Sequence, residues 1–107
     1  MQRYASLIQL KPEAEEAYKR CHREVWPEVL SRISACHISN YSIFLRDGVL
    51  FSYFEYTGTD LAADMEKMAT DQKTQEWWAM TNPMQTPLAN RAEGEWWASM
   101  EEVFHHN

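Results

Sequence analysis

Apolar positions along the chain change their period several times, and each change marks an element. From Arg3 to Leu10 a short run carries Tyr4, Leu7, Ile8 and Leu10 and stops at Lys11-Pro12, which predicts a strand meeting a helix start. Pro12 suits the first helical position, where its missing N–H would have no partner. Glu13, Glu15 and Glu16 complement the positive end of the helix dipole. Tyr18, Cys21, Val25, Val29 and Ile33 then recur at intervals of three and four, so a long amphipathic helix runs to about Ala35. Pro27 removes a backbone hydrogen bond and biases Trp26 away from helical geometry, which predicts a kink or break beside Trp26.

Ile38 to Leu45 alternates, with Tyr41, Ile43 and Leu45 on one face, and Val49 to Tyr56 is rich in β-branched and aromatic residues. Asp47-Gly48 between them supplies the positive φ values of a two-residue hairpin turn. Thr57 to Asp60 offers helix caps ahead of Leu61, Met65 and Met68, and a further helical piece starts near Thr70 or Asp71 and carries Gln72 to Thr81. Asn82-Pro83 and Thr86-Pro87 open an irregular stretch to about Glu95, long enough to invite a functional role. Trp97 to Phe104 alternates roughly and predicts a last strand.

The predicted order is β-α-β-β-α-β. That is the split βαβ arrangement, an α+β fold whose antiparallel sheet carries helices on one face. The length of 107 residues fits one domain spanning 1–107. An apolar sheet face left bare by the helices is commonly covered by a second copy, so the pattern predicts a homodimer.

Charge narrows the partners. Ten Lys and Arg against sixteen Asp and Glu give a formal charge of -6, which repels nucleic acid and anionic membrane surfaces. No stretch approaches the roughly 18 apolar residues of a membrane span, and the first ten residues do not read as an export signal. Cys21 and Cys36, about 22 Å apart on a continuous helix, lie beyond disulfide reach and form no paired zinc motif. These features point to a cytoplasmic protein with reduced thiols and no metal.

Five Trp and five Tyr in so short a chain require an explanation. Tyr18, His22 and Trp26, spaced four and four, place a phenol, an imidazole and an indole on one helical stripe. The same spacing also describes ordinary core packing around a hydrogen-bonded histidine. Trp77 and Trp78 point about 100° apart on a helix, so one indole can enter the core while the other lines a cavity. Tyr41 can equally be a half-buried tyrosine with a backbone partner.

Taken together, Tyr18-x-x-x-His22-x-x-x-Trp26-Pro27-Glu28, Asn40-Tyr41-Ser42-Ile43, Trp77-Trp78 and Glu102-Val103-Phe104-His105 resemble the L-rhamnose mutarotase family in order and spacing along essentially the whole chain. The resemblance implies ferredoxin-like subunits paired in a dimeric α+β barrel. It implies interconversion of the α and β anomers of a 6-deoxy monosaccharide such as L-rhamnose, or L-fucose, without a cofactor. It also implies that His22 transfers the proton and that Tyr18, Tyr41, Trp77 and Trp78 contact the sugar, with Trp26 at a conspicuous family position. Ring opening moves a proton from the anomeric hydroxyl to the ring oxygen, and an imidazole with a pKa near ~6.5 can give and take protons at cellular pH.

His37, where a small residue is expected, and the His105-His106-Asn107 end depart from the family pattern and bear on the choice of sugar. Two adjacent histidines without a third ligand are a weak metal signal. Two other readings share the fold and the residues: a cofactor-free or haem-linked oxygenase of small aromatic substrates, and a non-catalytic sugar-binding module in which His22 only donates a hydrogen bond.

Overall fold

The first strand becomes the centre of the molecule. In the computed structural model, which describes Met1–Asn107, β1 (Gln2–Leu10) pairs antiparallel with β3 (Val49–Tyr56) along nearly its whole length. The hairpin partner β2 (Ile38–Arg46) lies outside β3. Two short strands, β4 (Gln85–Thr86) and β5 (Ala98–Met100), pair with β1, giving the order β2-β3-β1-β4 with β5 also on β1. This is the split βαβ order that the pattern predicts. The turn joining β2 to β3 has φ of 50° at Asp47 and 74° at Gly48, the double positive φ of a type I′ hairpin.

The register sorts side chains between two faces. Ile8 opposes Leu50, Ser6 opposes Ser52 and Tyr4 opposes Phe54, and this face meets the helices. Ile8, Leu10, Tyr18 and Leu50 form one buried cluster, and Cys36, Ile38, Tyr56 and Met68 another. Each fully buried aliphatic side chain there contributes roughly 1.5–3 kcal/mol relative to exposure. The opposite face presents Leu7 against Phe51, Ala5 against Tyr53 and Phe44 against Phe51. No helix covers it, and Phe44 is 62% exposed.

The kink or break predicted beside Trp26 is a full break. A single 3-10 turn at Pro12–Ala14 precedes α1 (Glu15–Arg23), and α2 (Pro27–Ala35) begins after a break rather than continuing one long helix. Glu24 leaves helical space at φ -137° and ψ 61°, and Trp26 is extended at ψ 132°. Pro27 imposes this on the residue before it and then starts α2, where no N–H is needed. The second crossover holds α3 (Leu61–Ala69) and α4 (Gln72–Thr81), capped where the sequence placed the caps: Asp60 accepts from the Ala63 N–H and Asp71 from the Thr74 N–H.

The last strand is a correction. Only Ala98–Met100 joins the sheet, not Trp97 to Phe104, and residues 101–107 have no regular structure. Where the ladder would reach Arg3, a side-chain ion pair between its Nε and Glu102 at 2.9 Å takes over. The alternation in the sequence has two separate origins. Trp97 packs on the core, while Val103 and Phe104 are 85% and 80% exposed.

Candidate active site

Between the α-helical layer and the inner sheet face lies a cavity of about 320 Å³, within the roughly 300–1,000 Å³ of small-molecule sites. A wider cleft beside the break between α1 and α2 shares His22, Tyr41 and Trp77 with it. The lining is drawn from positions between Tyr18 and Trp97, on all four helices and the sheet. Tyr18 and His22 come from α1, Tyr41 from β2, Trp77 and Trp78 from α4.

Tyr18 and His22, one turn apart, stack with ring centroids 4.1 Å apart. Trp77 meets the edge of both His22, at 5.3 Å, and Trp26, at 5.2 Å. The helix break is what allows this, because it turns Trp26 onto Trp77 instead of continuing the α1 stripe. Trp26 therefore backs the wall from outside the cavity's lining, with Lys73 Nζ 6.0 Å from its ring centroid. Trp77 is buried and Trp78 stands half open at the rim, yet both reach the cavity.

Tyr41 reaches the inner face through an irregularity. Between Ser39 and Ser42 the β2–β3 register shifts, with Asn40 at φ 49° and its side-chain amide donating to Glu55 at 2.7 Å. Ile38 and Tyr41 are three positions apart, and regular alternation would send them to opposite faces. The bulge restores both to the helix side, where Tyr41 meets Phe54 at 5.8 Å.

The electrostatics of the two polar groups are distinct. His22 Nδ1 lies 2.8 Å from the Tyr18 carbonyl oxygen, which can only accept, so the hydrogen is assigned to Nδ1 and Nε2 is left with a lone pair. Burial lowers the His22 pKa from its ordinary value, partly offset by that backbone hydrogen bond. The imidazole is thus a neutral base at pH 7. Burial pushes the Tyr18 phenol well above its ordinary value, so it stays protonated. Its oxygen accepts from Gln85 Nε2 at 3.3 Å, and Gln85 Oε1 accepts from the Trp96 indole at 2.8 Å.

The chain that builds this arrangement, a neutral imidazole among aromatic walls with phenol hydroxyls at hand, is similar to known proteins. The family model described as L-rhamnose mutarotase matches residues 3–106. The chain belongs to the L-rhamnose mutarotase family. An L-rhamnose mutarotase of Sinorhizobium fredii is 35% identical over 108 residues, covering 98% of each chain, and one of Listeria monocytogenes is 33% identical over 111 residues with the same coverage. The crystal structure of an L-rhamnose mutarotase from Formosa agariphila superposes with a TM-score of 0.79 at 23% identity over the whole of both chains. A type-II polyketide cyclase from Streptomyces glaucescens reaches 0.70 at 14% identity, covering 100% of this chain and 98% of its own. At such identities these two structures speak to the α+β fold alone, which they share.

Family membership makes the protein a carbohydrate mutarotase, an isomerase-type enzyme. The structure gathers Tyr18, His22, Tyr41, Trp77 and Trp78 around one cavity and leaves Trp26 behind it. Sequence reasoning did not single out Gln85 or Trp96, both of which line the cavity. Gln85 lies inside the irregular stretch from Asn82 to about Glu95 whose length invites a functional role, though nothing there distinguishes it from its neighbours, and Trp96 falls just beyond that stretch. The two histidines near the end, His105 and His106, lie outside the cavity, and no helix is long and apolar enough to cross a membrane.

Proposed function

We propose that the protein interconverts the α and β anomers of a 6-deoxy monosaccharide such as L-rhamnose, with L-fucose as the other sugar of this class, and that His22 carries the proton. The observation that carries this reading is the 2.8 Å contact of His22 Nδ1 with the Tyr18 carbonyl: it assigns the hydrogen to Nδ1 and leaves Nε2 free as a base on a residue that lines the cavity. Nε2 takes the proton of the anomeric hydroxyl as the C1–O5 bond breaks, giving the open-chain aldehyde. The same proton is delivered to O5, which becomes a hydroxyl. Closure on the other face of the aldehyde runs these steps backwards and yields the other anomer with no net change of atoms or electrons. A positioned acid or base of this kind contributes ~10²- to 10⁴-fold, and the chemistry calls on no cofactor.

Binding falls to the walls. Trp77 and Trp78 offer indole faces to the C–H surface and methyl group of a deoxy sugar, while the Tyr18 and Tyr41 hydroxyls address its polar edge. The bare sheet face of Leu7, Phe44, Phe51 and Met100 supports assembly as a two-fold homodimer, in which two sheets close into a barrel. Saturation-transfer NMR on a panel of monosaccharides tests the activity. Accelerated anomer exchange of L-rhamnose is the expected result; tight sugar binding with exchange at the spontaneous rate would leave only a binding module.

A further inference from the structure

Gln85 is nearly fully buried, 5% exposed, on the short edge strand β4, and both ends of its side-chain amide are engaged. One end is 2.8 Å from the Trp96 indole nitrogen, a group that can only donate. That end must be the carbonyl oxygen Oε1. The other end, Nε2, can then only donate, and its partner at 3.3 Å is the Tyr18 hydroxyl. Tyr18 oxygen is therefore committed as an acceptor toward Gln85, and its own proton is directed elsewhere.

We infer that Gln85, held in one orientation by Trp96, is a positioning residue that makes Tyr18 a hydrogen-bond donor toward the sugar. The inference rests on the mutarotase reading above and adds a polarity to it: a sugar oxygen with a free lone pair faces Tyr18. Trp96 is itself well placed for this. Glu95 before it accepts from the backbone N–H groups of Ala92 and Ser99, and Trp97 after it is packed against the core, so the indole is held from both sides. The raised pKa of Tyr18 agrees with a phenol that keeps its proton to donate.

The test measures anomer exchange of L-rhamnose by saturation-transfer NMR over a range of sugar concentrations, for the unaltered chain, Gln85→Glu, Tyr18→Phe and the double variant. Glutamate has nearly the same shape and, once ionised at the pH of the assay, only acceptors, so it takes the Tyr18 proton away from the sugar. Gln85→Glu should raise KM about tenfold with a smaller change in kcat, the size of one lost hydrogen bond in a desolvated site. In the Tyr18→Phe background the same change should move KM by less than about twofold, because its target is gone. Equal effects in both backgrounds, or an unchanged KM, overturn the inference. Trp96→Phe keeps a ring at the half-exposed position and frees the amide, and it serves the same cycle if Gln85→Glu does not fold. There KM should rise about threefold, and only while the Tyr18 hydroxyl is present. If the unaltered chain does not accelerate exchange, the catalytic reading fails on its own. The cycle is then read from L-rhamnose affinity by tryptophan fluorescence, and an absence of binding there would overturn both.

Discussion

His22 shows how much a single hydrogen bond can decide. Its Nδ1 contact with the Tyr18 carbonyl is an i to i-4 contact within α1, so the helix that presents the imidazole also selects its tautomer. Protonation of Nε2 removes the base, and burial holds that event below the ordinary histidine range. Exchange should therefore be at its plateau at neutral pH and fall as the pH drops through the lowered pKa of His22, in a profile recorded by NMR at fixed sugar. His22→Ala should lower the exchange rate by ~10²-fold or more and leave sugar affinity nearly unchanged, since the aromatic walls remain. A folded variant with near-normal exchange would leave the mechanism without its proton carrier. The spacing in the sequence put Tyr18, His22 and Trp26 on one stripe, and the family resemblance added Tyr41, but neither carried polarity. Which nitrogen of His22 holds the hydrogen depends on a backbone carbonyl one turn away, and which way the Tyr18 proton points depends on Gln85 and Trp96, more than 60 positions away in the chain.

Elements place these groups through their irregularities as much as through their regular parts. The predicted interruption beside Trp26 is a full break at Glu24–Trp26 that swings Trp26 against Trp77; the bulge at Asn40 turns Tyr41 inward. Pro27 announced the first, because proline constrains the residue before it wherever it falls. Asn40 announced nothing, since a bulge is a property of two strands in register. The same holds for β4 and the shortened β5, whose extents are set by what β1 has free to offer. α4 is a helix whose start was legible and matters to the site. The Asp71 carboxylate accepts from both the N–H and the hydroxyl of Thr74, and the Arg32 guanidinium lies 3.2 Å away, which together hold its pKa below the usual carboxylate range. Asp71→Ala should cost ~0.5–2 kcal/mol of stability as a lost N-cap, read as a lower urea midpoint. Because Trp77 and Trp78 ride on this helix, the variant should also bind sugar more weakly. Unchanged stability would mean that packing of Trp77 alone holds the helix start.

At the scale of the whole molecule the two faces of the sheet have different fates. The inner face is closed by α1 to α4 and holds the cavity, whereas the outer face keeps Phe44 exposed, its ring 6.2 Å from that of Phe51, with Met100 at 44% exposure on β5, across β1 from β3. Val103 and Phe104 project from the segment that Arg3 ties to the sheet edge through Glu102. In a chain with a net charge of -6, so many exposed large apolar side chains are conspicuous. A second copy related by a two-fold axis would bury the outer face on both partners at once, which a self-complementary sheet face permits. Sedimentation at micromolar concentration should accordingly give about twice the chain mass of 12.7 kDa. Phe44→Glu then places two like charges across the axis in a desolvated contact, where the Coulomb repulsion is no longer screened by water. That variant should sediment as a monomer while its circular dichroism stays unchanged, because the side chain makes no contribution to the inner core. Retained dimerisation in Phe44→Glu would move the interface off the sheet face. A monomeric unaltered chain would leave the outer face open and remove the barrel from the proposed assembly.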